Sequence, residues 1–192
     1  MARAGVTVEG LVRAAAESAD EVGFDNVTVS ALARGFGVTV ASLYSHIKNA
    51  EDLRVRVAAL ALNEMADQAS EALAGRAGRE ALVAFADTYR AYARAHPGRY
   101  AAARLRIDPG SVASEPALRH SELTRAILRD YKLPETEQVH AVRLLGSTFH
   151  GFADLENAGS FANSGDVDPS WARALDALHV ALTNWPGADG SS

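Results

Sequence analysis

Apolar residues recur every three or four positions along almost the whole chain, and this helical spacing constrains the fold more than any other feature. The final segment is the clearest, because it places Trp171, Leu175, Leu178, Leu182 and Trp185 along one face. A half-buried strand would need strict alternation of apolar and polar residues, which no segment shows convincingly. The spacing therefore predicts an all-α fold with nine helices.

Caps and breakers divide the first fifty residues into three short helices. The first ends at Gly23, and the second begins after Thr28. Gly35 and Gly37 then interrupt the pattern before a third helix, which is expected from Thr39 to His46. Two short helices joined by a glycine-containing turn make a helix-turn-helix, whose second helix enters the major groove of DNA.

The helical segments become longer after Asn49. One apolar stripe continues from there to about Leu73 and predicts a long connecting helix. Further helices are expected at 81–95, 97–106, 115–131, 135–156 and 171–185. The expected organisation is a helix-turn-helix domain at 1–48, the connecting helix at 49–74 and a larger helical domain at 75–192. Residues 186–192 are expected to be disordered.

Composition excludes several classes of protein. The chain has 192 residues and no cysteine, which rules out disulfides, thiolate nucleophiles and cysteine-bearing zinc fingers. A net charge of −5 argues against DNA binding by overall attraction, so DNA contacts must come from a local patch. No stretch approaches the roughly 18 apolar residues that span a bilayer, and we expect a cytoplasmic protein without membrane contact.

An enzyme is a poor second interpretation. The chain has no HExxH, GxSxG or GxGxxG motif and no phosphate-binding loop, and its six histidines lack the spacing of metal ligands. We expect no catalytic site, no metal and no cofactor.

The segment from Phe24 to Leu53 carries a family resemblance. Its features are Gly23-Phe24, the Thr28 cap, Leu32-Ala33, Gly37-Val38 and the run Leu43-Tyr44-Ser45-His46-Ile47-Lys48-Asn49. In this order they resemble the DNA-binding domain of the tetracycline-repressor (TetR) family. The resemblance implies a small N-terminal DNA reader and a larger helical domain for ligand binding and dimerisation.

The resemblance also implies which residues meet DNA. Thr28 would meet a phosphate at a helix start, and the first turn of the third helix would face the bases. The candidates are Thr28, Thr39, Val40, Ala41, Ser42, Tyr44, Ser45, His46 and Lys48. Many relatives carry a lysine where this chain has Ala50, so one common phosphate contact is missing. Specificity is expected to rely on methyl contacts and DNA shape.

The C-terminal half resembles the WHG type of TetR ligand domain through Gly146-Ser-Thr-Phe-His-Gly-Phe, with Phe149 where that type often has tryptophan. His150 then either faces a ligand cavity or is a core or interface histidine, and both alternatives stay open. Aromatic residues elsewhere either line the pocket or form ordinary core. The candidate lining is Phe85, Tyr89, Tyr92, Tyr100, Arg104, Phe149 and His150.

The excess apolar face of the last helix predicts pairing with a second copy, through Trp171, Leu175, Leu178 and Leu182. The expected function is sequence-specific regulation of transcription by a homodimer on double-stranded operator DNA. Repression relieved by a small, mostly apolar ligand is the mode the resemblance favours. The alternative is a helical dimeric interaction module that has lost tight operator binding. The sequence leaves open the ligand, the operator and the choice between repression and activation.

Overall fold

A computed structural model describes residues 6–163 and 165–186, and within them the chain forms nine α-helices and no strand. The all-α prediction is confirmed. The helices are α1 (Val8–Val22), α2 (Val29–Phe36), α3 (Val40–Leu43), α4 (Ala50–Leu73), α5 (Gly78–Ala95), α6 (Pro97–Ala103), α7 (Ser114–Leu128), α8 (Glu135–Asn157) and α9 (Asp168–Thr183). Short 3₁₀ turns lie at Phe24–Asn26 and Arg129–Tyr131. The expected disordered tail lies outside the described residues beyond position 186.

The helices group into two compact units that are not consecutive in sequence. Unit 1 comprises the described residues up to Glu64 together with Ala95–Leu118, and unit 2 comprises Met65–Arg94 and the described residues from Arg119 onward. The units therefore differ from the expected segments at 1–48, 49–74 and 75–192. The chain passes between them three times, so α4 is one of three connections.

Unit 1 is built on a core of small and branched apolar side chains. Leu11, Ala15, Ala16 and Ala19 on α1 are completely buried, and Leu43 is buried equally well. Three alanines on one face of α1 leave room for other helices to approach closely. α6 uses this room and packs directly against α1.

Gly98 marks the closest approach between α6 and α1. A Cβ atom at this position would lie 1.9 Å from the carbonyl oxygen of Ala19, so only glycine fits. Polar contacts hold the same two helices together. Asp20 accepts a hydrogen bond from the backbone N–H of Arg99 at 2.9 Å and pairs with the Arg99 side chain at 3.0 Å. The Asp20 carboxylate also lies 3.1 Å from Nδ1 of His96.

Unit 2 encloses a second core, formed by α5, α8, α9 and parts of α4 and α7. Leu82, Leu145 and Leu182 are completely buried in it. A mostly buried ion pair ties α5 to α8, because Arg90 donates to both carboxylate oxygens of Glu156 at 2.6–2.7 Å. The Arg90 guanidinium stabilises the ionised carboxylate of Glu156 and so holds the pKa of Glu156 below its ordinary value.

The apolar face of α9 belongs to this core, which corrects the expected dimer interface. The four residues proposed to meet a second copy are buried within the protomer: Trp171, Leu175, Leu178 and Leu182 are 0–6% exposed. They pack on aromatic residues of α8, and the Trp171 indole N–H donates to Asp87 on α5 at 2.7 Å. The periodicity identified a buried face correctly but could not tell which partner buries it.

The described part of the chain contains no helix that is both long enough and apolar enough to cross a membrane.

Candidate functional site

The helix-turn-helix of unit 1 is built from local capping interactions. The Thr28 side chain accepts a hydrogen bond from the Ala31 N–H at 3.2 Å and starts α2. Gly37 ends α2 in the left-handed conformation, with φ 65° and ψ 35°, which favours glycine. The Thr39 side chain then caps α3 through the Ser42 N–H at 3.2 Å. Gly35 does not break the run as expected, because it lies inside α2.

The third helix is shorter than the sequence predicted. α3 ends at Leu43, and the next three residues form a turn. The Ser45 hydroxyl donates to the Ser42 carbonyl at 2.6 Å, and the His46 N–H donates to the Leu43 carbonyl at 2.9 Å. The surface available for reading bases is therefore one helical turn followed by a hydrogen-bonded turn.

The candidate DNA contacts form an accessible surface, called here the reading surface, above a layer of buried apolar side chains. Leu32, Leu43 and Ile47 point into the core beneath it. Tyr44 is the largest exposed group at 46% exposure. The other exposed candidates are Thr28, Thr39, Ala41, Ser42, Ser45 and Lys48, and the partly exposed ones are Val40 and His46. Their assignment as DNA contacts stays a prediction.

Arg54 joins α4 to the connection between α1 and α2, a contact that sequence reasoning missed. Its guanidinium lies 4.0 Å from the Phe24 ring centroid and pairs with Asp25 at 2.8 Å. It also donates to the Phe24 carbonyl at 3.4 Å. Because Asp25 and Phe24 lie 29 and 30 residues from Arg54 along the chain, no local sequence pattern predicts the contact. Arg54 thus fixes α4 against the connection between α1 and α2.

The start of α4 carries a reciprocal pair of capping hydrogen bonds. Asn49 accepts a hydrogen bond from the Asp52 N–H at 2.8 Å, and Asp52 accepts one from the Lys48 N–H at 3.0 Å. Burial raises the pKa of Asp52, but the Lys48 N–H and the Arg56 guanidinium outweigh burial and hold it below its ordinary value. The Lys48 backbone is therefore anchored while its side chain stays exposed.

Unit 2 contains a cluster of aromatic rings that joins four of the predicted pocket residues. On α5, Tyr89 lies 5.7 Å from Phe85 between ring centroids, and Phe85 lies 6.3 Å from Phe149 on α8. The His150 ring meets Tyr89 edge-on at 5.3 Å, with 3.5 Å between the Tyr89 hydroxyl and Nε2 of His150. Phe85 and Phe149 are buried, whereas Tyr89 and His150 are partly exposed.

His120 on α7 completes the aromatic cluster and was not among the predicted pocket residues. Its ring lies 5.3 Å from Tyr89 and 5.9 Å from Phe85. Its Nδ1 atom is fully buried and has no hydrogen-bond partner among the residues that the structure describes. Burial, with a smaller effect from the charge of His150, lowers the pKa of His120 to about 4. The imidazole is therefore neutral at neutral pH.

The remaining predicted pocket residues are not part of this aromatic cluster. Tyr92 is buried elsewhere on α5, at 2% exposure. Tyr100 and Arg104 lie in unit 1 on and just after α6, with the guanidinium 5.1 Å from the tyrosine ring. Among the described residues, no group of three or more His, Asp or Glu side chains is placed to hold a metal.

Two family models match the chain. The model described as "Bacterial regulatory proteins, tetR family" matches residues 11–57, which include the helix-turn-helix. The model described as "Tetracyclin repressor-like, C-terminal domain" matches residues 82–178. The two matches cover both the reading surface and the aromatic cluster.

Curated relatives extend over most of the chain. The uncharacterized HTH-type transcriptional regulator YobS of Bacillus subtilis is 30% identical over 167 residues, which cover 86% of each chain. The uncharacterized HTH-type transcriptional regulator Rv0681 of Mycobacterium tuberculosis is 34% identical over 155 residues, which cover 79% of this chain and 70% of that protein.

Solved structures share the fold at lower identity. Streptomyces coelicolor ActR, a TetR family protein in complex with (S)-DNPA, aligns with a TM-score of 0.71 at 21% identity, covering 95% of this chain and all of ActR. BioQ with its natural double-stranded DNA operator aligns with a TM-score of 0.65 at 22% identity, covering 94% and 99% of the two chains. At this identity the likeness establishes the fold.

Proposed function

Because the chain belongs to the TetR family of bacterial regulatory proteins, it is a DNA-binding transcriptional regulator, and we propose that it is a ligand-released repressor. It acts as a homodimer on a two-fold related operator. A small, mostly apolar molecule bound in unit 2 releases it. Its role is regulation and not catalysis, and it acts in the cytoplasm, where its DNA is found.

The observation that carries the DNA part of the proposal is the exposed turn after α3. One short helix and its following turn present hydroxyl, methyl and phenol groups above a fixed apolar base. Methyl groups of Thr39, Val40 and Ala41 suit the thymine methyl in the major groove. Tyr44 and Lys48 extend from the same surface and contact phosphates, which fix the register of the protein on the duplex.

Dimerisation uses the faces of α8 and α9 that the protomer's own core leaves free. Large apolar side chains remain exposed there: Leu144 and Leu155 on α8 and Val180 on α9, at 37%, 48% and 58% exposure. Gly151 lies between the two leucines, and an added Cβ would meet nothing there within 4 Å. A two-fold dimer carries two reading helices, which meet successive major grooves when they lie roughly 34–36 Å apart.

The ligand part of the proposal rests on the aromatic cluster. Phe85, Tyr89, Phe149 and His150 combine apolar rings with a few polar groups, the usual composition of a small-molecule site. A ligand that prefers a conformation with a different spacing of the reading helices shifts the dimer away from DNA. Couplings of about 1–3 kcal/mol are typical of such a shift. ActR in complex with (S)-DNPA shows that this fold holds a small molecule in another protein.

The test is a fluorescence anisotropy titration against DNA flanking the protein's own gene. We compare the wild type with Tyr44→Ala, and we use Val112→Ala as a control at another exposed site of unit 1. The expected result is competitor-resistant binding that weakens about tenfold or more in Tyr44→Ala and is unchanged in Val112→Ala. Equal weakening in both variants would contradict the assignment of the reading surface.

Salt dependence separates a DNA reader from an interaction module. A DNA-binding protein that neutralises several phosphates loses affinity steeply as the salt concentration rises. The logarithm of its affinity falls against the logarithm of the salt concentration with a slope of about 0.9 per phosphate. A module that kept the fold but lost operator binding shows no such slope. If no flanking segment binds, selection from random DNA distinguishes a distant operator from the interaction module.

A further inference from the structure

The aromatic cluster of unit 2 contains one polar atom that the protein itself leaves unused. Nδ1 of His120 is fully buried, and no described residue offers it a hydrogen bond. The other polar groups of the cluster are engaged, since the Tyr89 hydroxyl faces His150 at 3.5 Å. Buried polar atoms in folded proteins are nearly always hydrogen-bonded, and one left alone destabilises the folded state. An exception of this kind needs an explanation in function.

The chemistry of a neutral imidazole defines what this atom offers. One ring nitrogen carries the proton and the other presents a lone pair. With the proton on Nε2, the lone pair lies on Nδ1 and can accept a hydrogen bond. The ring is kept neutral by burial, and no carboxylate contributes to its pKa. The site therefore offers an acceptor and no charge.

The surroundings define the shape of the partner. The rings of Phe85 and Tyr89 lie 5.9 and 5.3 Å from His120, so a molecule that reaches Nδ1 must lie against aromatic faces. Flat aromatic molecules stack favourably on such faces. An ionised ligand would lose its hydration there without a partner of opposite charge at His120.

We propose that the ligand of unit 2 is an uncharged aromatic molecule with a hydrogen-bond donor, and that it donates this bond to Nδ1 of His120. The inference rests on the proposed ligand response of the regulator and names the ligand's chemical class. A phenol is the simplest member of that class. His150 and Tyr89, which are both partly exposed, accommodate any second polar group of the ligand.

The experiment uses two probes of nearly equal shape, 2-naphthol and 2-methylnaphthalene, with the full-length protein. Ligand-observed NMR titration gives the affinity of each probe for the wild type, His120→Phe and His140→Phe. His120→Phe keeps a ring and removes the acceptor, and His140→Phe changes an exposed histidine of the same unit. In the wild type and in His140→Phe, naphthol should bind about tenfold more tightly than its methyl analogue. In His120→Phe the two affinities should become equal.

A second measurement does not depend on any variant. The ¹⁵N resonance of His120 Nδ1 in the wild type should change when naphthol is added and stay unchanged with methylnaphthalene, because only naphthol donates to that atom. Equal affinities of the two probes in the wild type, a preference that survives in His120→Phe, or no binding of either probe would each overturn the proposal.

Operator binding in the same samples keeps this inference separate from the proposed function. If both probes release the DNA equally well, the repressor remains ligand-responsive and the hydrogen bond to His120 is wrong. If naphthol is preferred through His120 but the DNA stays bound, the ligand class stands and release by this ligand is wrong.

Discussion

Replacing Gly98 by alanine tests the packing that gives unit 1 its form. The new Cβ would lie 1.9 Å from the carbonyl oxygen of Ala19, 2.0 Å from its carbonyl carbon and 2.5 Å from the amide nitrogen of Asp20. All three are backbone atoms in the middle of α1 or near its end, so no side-chain rotation relieves the clash. α6 must instead move away from α1 by more than 1 Å before ordinary contact distances return.

The cost of this movement has two parts. Overpacking of a close helix contact costs about 1–3 kcal/mol. The movement also stretches the bonds from Asp20 to Arg99 and His96, and loss of hydrogen bonds to a mostly buried carboxylate costs about 1–3 kcal/mol more. The expected loss is about 3–5 kcal/mol of unfolding free energy, and for a chain of this size about 6–20 °C in Tm.

Gly35→Ala provides the matched control, because it makes the same chemical change inside α2 of the same unit. An added Cβ at Gly35 meets nothing within 4 Å. Alanine is favoured over glycine inside a helix, so this variant should gain about 0.5–1 kcal/mol. Thermal and urea unfolding of all three proteins are compared at one protein concentration, since dimer stability depends on it.

A Gly98→Ala protein that unfolds at the wild-type midpoint would refute the close approach of α6 and α1. If it unfolds early yet binds operator DNA as tightly as the wild type when folded, the packing is correct but α6 does not help to position the reading surface. Operator anisotropy well below Tm separates these results.

Three further predictions concern other parts of the molecule. Burial lowers the pKa of His120 from 6.5 to about 4. Between these two pH values the unfolded chain binds a proton that the folded chain does not, so the free energy of unfolding must fall as the pH drops from about 6.5 to 4. His120→Phe should remove up to about 3 kcal/mol of this fall, which urea unfolding of the wild type and the variant across this pH range measures. If stability falls equally in both proteins, the ring is not buried in the neutral form. Leu155→Glu should convert the dimer to monomers in sedimentation without loss of helix content, whereas Leu118→Glu, at an exposed leucine of unit 1, should leave the dimer intact. If both variants stay dimeric, the α8 face is not the dimer interface. Lys48→Ala should reduce the slope of log affinity against log salt by about 1 in operator titrations, and a slope equal to that of the wild type would mean that Lys48 touches no phosphate.

The local elements of the fold were predictable because their causes are local. Thr28 and Thr39 cap their helices through N–H groups only three residues away. Gly37 ends α2 because it adopts a left-handed conformation that other residues avoid. The helix count follows from such signals together with the apolar period. The end of α3 was missed, because the turn after Leu43 is held by backbone bonds that any residues could make.

The partners of each apolar face were not predictable, because they depend on contacts between distant parts of the chain. The face of α9 that carries Trp171 has the same pattern whether it meets α8 of its own chain or a second copy. Tyr100 has an aromatic side chain like Tyr89, yet the two belong to different units. His120 gives no sign in the sequence, since its importance comes from one buried ring nitrogen that no described residue hydrogen-bonds.

The reading surface depends on these distant contacts although its own residues form a local motif. α3 has only four residues and cannot be stable alone, because helix formation requires more turns than that to overcome its nucleation cost. Its position is set by the buried Leu43 below it and by α4, which Arg54 attaches to Phe24. α1 in turn is held by α6 through Gly98. Because the chain leaves unit 1 within α4 and on both sides of the segment that contains α6, we expect a ligand bound in unit 2 to act on the reading surface through these helices.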